Sequence, residues 1–331
     1  MTTFYAEQSA NRRNSLLLAL VVILFLAVFG FVIGFSIGYG SGHEVAFGVG
    51  ALVIAVVIGS LSGLFSYYGG DKLVLASSHA KEVTADQAPQ LYNVVNEMAL
   101  AAGVPMPRVY VIDDPSPNAF ATGRDPQHSS VAVTTGLLQK MNREELQGVL
   151  GHELSHVRNY DIRFSLMVGV MVGSIALLAD FFLRYSFWGG GRRSSRDSDS
   201  GMGGLGVVIF ILAMVLAILA PIMARLVQMA VSRQREYLAD VSGVELTRNP
   251  YGLERALAKI ALDTEPLEVA NRATQHLYFE NPVKPATGTS RSLFSTHPPV
   301  LDRINRLREL SGQPPVASPG AVLPVVPRVG G

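Results

Sequence analysis

The chain has 331 residues, 49% of them hydrophobic and only 16% charged, with a formal net charge of +1. Soluble domains carry about 25% charged residues, so part of this chain is built for lipid, and the near-neutral balance excludes the basic field of a nucleic-acid binder. With no cysteine, disulfides and thiolate metal sites are excluded, and any metal must be held by His, Asp or Glu.

Four apolar runs each suit a bilayer core, which takes about 20 helical residues. The first, Ser15 to Gly38, is too long for a signal-peptide core of about 7–15 residues. The link YGSGHE folds it back onto the second, Val45 to Tyr68. Gly30, Gly34 and Gly38 recur at four-residue spacing, which lets two helices approach closely. Next, ADQAPQLYNVVNEMALAAG reads as an amphipathic helix, with Leu91, Val94, Val95, Met98 and Ala102 on one face and Gly103 as its stop. RVYVIDD, PNAFATG and SSVAVTTG are strand candidates. Asn118, Ala119 and Phe120 fall on an expected edge strand, which is either a plain sheet edge or a rail for extended substrate backbone.

The stretch NREELQGVLGHELSHVRNYDIR follows. Asn142 with Glu145 three residues on gives a capping-box pattern, so a helix starts near Arg143. His152 and His156 then share one face, a turn apart, and both imidazoles can reach one zinc ion at about 2.0–2.1 Å. Glu153 lies roughly 100° round the helix, placed to take a proton from water that the metal activates. The bland alternative is a polar stripe on an ordinary helix. Catalytic zinc takes three protein ligands. Asn159 and Ile162 occupy the last two positions of the long H-E-x-x-H-x-x-G-x-x-H pattern, so a third ligand must come from elsewhere.

The third and fourth apolar runs, Phe164 to Leu183 and Leu205 to Val227, flank a loop rich in Gly, Ser and Arg. SRQREYLAD comes directly after them. Glu236 can be a ligand there, and Asp240, one turn on, can fix the second ring nitrogen of a ligand histidine; the alternative for Glu236 is a surface carboxylate paired with Arg233 or Arg235. If the two runs form a hairpin, its roots bring this segment beside His152. GLERALAKIALD and PPVLDRINRLREL are two further helices, the latter with Leu301, Ile304, Leu307 and Leu310 on a common side. His297 suits a donor to an oxyanion, and Arg303 either anchors its segment or pairs with Asp240; local structure is the alternative for both. Arg12, Arg13, Lys72, Lys81, Arg158, Arg163, Arg233 and Arg235, weighed against Arg184, Arg192, Arg193 and Arg196 of the loop, favour a cytoplasmic catalytic side.

Taken in order, NAFATG, TTGLLQKMNREELQGVLGHELSHVRNYD, SRQREYLAD and THPPVLDRI resemble the HtpX family of bacterial membrane-bound zinc metalloproteases, relatives of the CAAX prenyl proteases. The resemblance runs to about Arg306. It implies a gluzincin fold with two His and one Glu on one zinc ion beside a small sheet, and thus Glu236 as third ligand. It also implies proteolysis of misfolded or membrane proteins at the inner face of a bacterial cytoplasmic membrane, in quality control under stress.

The expected architecture is a mostly α membrane protein, with four hydrophobic helices and an α+β zinc protease domain holding a small sheet. The boundaries are 1–70 for an N-terminal transmembrane hairpin, 71–163 and 228–310 for the protease domain, 164–227 for a second hairpin inserted in it, and 311–331 for a disordered Pro/Gly-rich tail. Expected roles are ligands for His152, His156 and Glu236, catalysis for Glu153 and His297, support for Asp240 and Arg303, and substrate contact for Asn118, Ala119 and Phe120. The partners are polypeptides and the bilayer, with no nucleic acid. Two rivals stand: a CAAX-type processing peptidase, and a non-proteolytic membrane chaperone or adaptor with structural zinc, against which an intact Glu153 argues.

Overall fold

The computed structural model describes residues 4–166, 214, 235–265, 279 and 298–323. The third and fourth apolar runs therefore lie outside the described residues, apart from 164–166 and 214, and so does His297. Residues 12–68 form one compact unit; residues 69–166, with the described residues from 235 onward, belong to another.

The first unit is a helical hairpin. Helix α1 (Phe4–Gly38) and helix α2 (Glu44–Ser77) each hold a stretch long and apolar enough to cross a membrane. Gly40 and Gly42 make the turn at φ +80° and +75°, a region that β-carbons disfavour. The glycine spacing works as the sequence suggests. A methyl on Gly30 would stand 2.7 Å from the Ala55 Cβ, and one on Gly34 would stand 2.5 Å from the Ala51 Cβ. Leu20, Leu24, Ile54 and Leu61 stay exposed, an apolar surface that suits hydrocarbon.

The second unit is built on a four-stranded sheet in the order β1-β2-β4-β3, comprising β1 (Lys81–Glu82), β2 (Arg108–Ile112), β3 (Ala119–Gly123) and β4 (Ser129–Thr134). β2 runs parallel to β4, and β3 antiparallel to it, with Ala121 opposite Val131. Side chains alternate between faces. Val109, Ala119, Ala121, Val131 and Val133 join the main core, while Tyr110, Ile112, Phe120 and Ala132 meet Val74, Leu75 and Leu166 on the other side. The three strands read from the sequence are present. β1 is an addition: Lys and Glu are poor strand formers, and pairing with Val111 and Tyr110 holds them. The last two residues of the candidate SSVAVTTG are not strand: Gly136 sits in the first turn of α4 (Thr135–Lys140), pressed on the Pro115 carbonyl.

Helix α3 (Pro89–Ala102) buries the expected face and ends at Gly103 in the left-handed region. It packs on the core with α5 (Arg143–Arg158), α6 (residues 235–247), α7 (Pro250–Leu262) and α8 (Val300–Leu310). Two expectations change. On α8 the buried face is Arg303, Ile304 and Leu307, and Leu310 is exposed; the helix is turned so that Arg303 points inward. The tail, expected to be disordered from 311, is ordered as far as Leu323. Val316 exchanges two hydrogen bonds with the Asn305 side chain, and Val316, Val322 and Leu323 cover apolar core surface. That burial supplies what composition alone does not disclose.

Candidate metal centre

Helix α5 starts where its cap dictates. The Asn142 side chain accepts from the Glu145 N–H at 2.9 Å, and the Glu145 carboxylate accepts from the Asn142 N–H at 2.9 Å. Further along, α5 meets α6 almost backbone to backbone. A methyl on Gly243 would lie 2.9 Å from the His152 main-chain nitrogen, and one on Gly151 would lie 3.2 Å from the Gly243 carbonyl oxygen. This close approach brings Glu236 of α6 to the two histidines of α5.

The Nε2 atoms of His152 and His156 face each other at 3.2 Å, and oxygens of Glu236 lie 3.6 Å from each. One ligand atom from each residue lies within 4.8 Å of the others. Four-coordinate zinc with ligands at 2.0–2.1 Å has ligand–ligand edges of about 3.3 Å, so the spacing fits. The second nitrogens are already committed: His152 Nδ1 is 2.9 Å from Asp240 Oδ1, and His156 Nδ1 is 3.0 Å from Asp161 Oδ2. Donating Nδ1–H to a carboxylate leaves each Nε2 lone pair turned toward the other. A metal ion between them, or a proton on His152 in its absence, makes that arrangement favourable. Charge agrees. Glu153, Asp161, Glu236 and Asp240 are all buried, and Arg303 and Arg235 face them. The buried carboxylates outnumber the buried guanidiniums, so the site favours a bound cation.

Arg303 is wholly buried. Its Nε and Nη2 donate to the two oxygens of Asp240 at 2.9 and 2.7 Å, a bidentate fork, and Nη1 donates to the Phe279 carbonyl at 3.3 Å. Burial raises the Asp240 carboxyl, but Arg303 and the bond to His152 more than offset it and hold it below the ordinary range. Burial lowers His152, and its bonds to Asp240 and Glu236 outweigh that, lifting it to about 9 in the metal-free protein. Glu153 is pushed up, chiefly by burial. Its carboxylate accepts from the Ala121 N–H of edge strand β3 at 2.8 Å, beside the ligand cluster but not part of it.

The structure thus brings together His152, Glu153, His156, Glu236, Asp240 and Arg303. Glu236 is buried, not a surface carboxylate, and Arg235 turns to Asp161 instead. Asn118 and Phe120 are buried: the Asn118 side chain accepts from the Ala119 N–H, and Phe120 packs under the sheet. Ala119 offers its carbonyl to the Phe279 N–H at 2.8 Å. Three features of the site carry no signal in the sequence pattern. Asp161 stands five residues past His156, a spacing that brings no side chain to that ring in a regular helix. Phe279 stacks edge-on against His152, with centroids 4.9 Å apart, and nothing in LYFE signals it. The bond from Ala121 to Glu153 joins groups distant in sequence.

A helix that offers two imidazoles to one point, with a carboxylate beside them under a sheet edge, defines a metallopeptidase of the H-E-x-x-H type. Comparison gives the particular kind. Residues 85–311 match the model of Peptidase family M48. Curated relatives described as "Protease HtpX homolog" include those of Streptococcus uberis, 48% identical over 78% of this chain and 86% of that one, and Ligilactobacillus salivarius, 49% identical with the same coverages. The corresponding protein of Caldanaerobacter subterraneus is 45% identical over 80% of this chain and 86% of its own length. A crystal structure of S. mikatae Ste24p is similar with a TM-score of 0.48 and 18% identity, over 77% of this chain; this chain spans 57% of that one. The chain belongs to peptidase family M48. It is a membrane-associated metalloprotease, and the resemblance to the HtpX family read from its motifs holds.

Proposed function

We propose that the protein is a multi-pass zinc endopeptidase of a bacterial cytoplasmic membrane, with its active site facing the cytoplasm, that cleaves misfolded or membrane polypeptides. The observation that carries the reading is the pair of inward-facing Nε2 atoms closed by Glu236, with Glu153 alongside and hydrogen-bonded to the edge strand. His152, His156 and Glu236 hold the ion. Zinc bound there would supply Lewis acidity. Glu153 would take a proton from the attacking water as its oxygen bonds to the peptide carbonyl carbon, and would pass that proton to the amine nitrogen as the C–N bond breaks. Burial, which raises the Glu153 carboxyl, makes its carboxylate a stronger base toward that proton. Asp240, backed by Arg303, keeps His152 in the Nδ1–H tautomer. β3, an edge strand beside Glu153, is the strand along which substrate backbone would align.

The test uses full-length protein in detergent, measuring zinc content and casein cleavage. Wild type is expected to hold one zinc per chain and to cut. Glu153→Gln keeps its zinc and loses at least about 10²-fold in rate, and Glu236→Ala loses zinc. Zinc retained with no cleavage by wild type favours a structural-zinc adaptor. Zinc and activity retained by Glu236→Ala remove Glu236 from the ligand set.

A further inference from the structure

Helix α5 ends at Arg158, and two residues later the backbone does something costly: Tyr160 sits at φ +62°. A non-glycine residue there is uncommon, and such strain gathers where function over-determines the backbone. In an unbroken helix, residue 161 would project about 140° round the axis from His156, away from its ring. The left-handed step at Tyr160 cancels that rotation and starts a new helical turn at 161–166. The Asp161 carboxylate thereby returns to His156 Nδ1 at 3.0 Å, and it is 97% buried, with 3% of its surface exposed.

The other Asp161 oxygen lies 3.3 Å from Arg235 Nη1, and the Arg235 guanidinium stacks on the Phe164 ring at 3.8 Å. Arg235 immediately precedes Glu236 at the start of α6. One carboxylate therefore joins the far end of the histidine helix to the start of the glutamate helix.

We propose that Asp161 is a positioning residue of the metal centre. It fixes His156 as the Nδ1–H tautomer with Nε2 turned inward, and through Arg235 it sets where α6 presents Glu236. It mirrors what Asp240 does for His152, so each ligand histidine has its own carboxylate. The inference rests on the zinc reading above, and it adds that the second carboxylate depends on a strained turn and not on helical spacing.

The experiment measures zinc affinity by competition with a chromogenic chelator, on detergent-solubilised full-length wild type, Asp161→Ala and Asp161→Asn. The thermal midpoint of each metal-free protein and the visible spectrum of each cobalt-substituted form are recorded alongside. Wild type that binds no zinc would overturn the zinc reading itself. Given wild-type binding, Asp161→Ala is expected to weaken it by about 10–100-fold, as loss of a partner behind a ligand histidine does, and to shift the cobalt bands. Asp161→Asn keeps an acceptor oxygen for Nδ1–H and is expected to recover part of that loss. Affinity and spectrum unchanged in Asp161→Ala, whatever its melting point, overturn the proposal, as does an Asn variant no better than Ala. If Asp161→Ala does not fold, Asp161→Asn decides alone: its weaker acceptor must cost measurable affinity and shift the cobalt bands, and wild-type values in both sink the idea.

Discussion

At the scale of single residues, Arg303 shows how much depends on a side chain that neither binds metal nor does chemistry. It is fully buried, and its fork neutralises Asp240, which in turn orients His152. Removing one member of a buried pair leaves an uncompensated charge, at a cost of about 3–5 kcal/mol. Arg303→Ala is therefore expected to lower the melting temperature of the metal-free protein as well as its zinc affinity. Arg303→Lys should recover little, because an ammonium cannot make the planar two-oxygen contact. Calorimetry in detergent checks both; a lysine variant with wild-type stability would show that charge alone suffices. The residues most legible in the sequence were those obeying helical spacing: His152 and His156, and Glu236 and Asp240, each pair one turn apart. Asp161 was hidden because its place depends on the left-handed turn at Tyr160, which no periodicity encodes. Arg303 was legible only as a candidate, since apolar counting assigned the inner face of α8 to its leucines.

At the scale of elements, glycine decides how near the helices come. Gly243 on α6 abuts the His152 backbone, and Gly148 on α5 abuts the Leu253 backbone of α7. Gly243→Ala pushes α6 off α5, and overpacking of this kind costs about 1–3 kcal/mol. Since Glu236 rides on the same helix, the same change should weaken zinc binding, whereas Gly103→Ala, with open space around its Cβ position, should cost stability through its positive φ and leave zinc affinity alone. Equal zinc affinities for the two variants would separate the helix contact from the site. The membrane-hairpin glycines were legible because they repeat at one-turn spacing. Gly148, Gly151, Gly243 and Gly252 were not, because each meets a partner on another element and follows no period along its own. The two-residue strand β1 escaped for a related reason: it owes its form to β2.

At the scale of the whole molecule, the ligand set is split along the chain. His152 and His156 lie before the third apolar run, and Glu236 lies after the fourth. A bound ion therefore ties α5 to α6 across a long stretch of sequence and should stabilise the fold by mass action. At free zinc about 100 times Kd the gain is about 2.7 kcal/mol, on the order of 5–10 °C in melting temperature for a domain of this size. The gain should depend on pH with a definite sign. In the metal-free fold His152 is raised from 6.5 to about 9, so its charged bonds to Asp240 and Glu236 contribute stability that is fully present below about 6.5 and is lost as pH rises through about 9. Zinc requires the neutral ring and displaces that proton. Raising the pH from 6.5 toward 9 thus weakens the metal-free protein while relieving zinc of its competitor, and the melting gap between zinc-loaded and chelator-treated protein should widen. Paired melting curves at pH 6.5 and 8.5, with free zinc buffered at one value, measure it. A gap that narrows with rising pH would mean that His152 is neutral before the metal arrives, and that the carboxylates behind it hold a different proton.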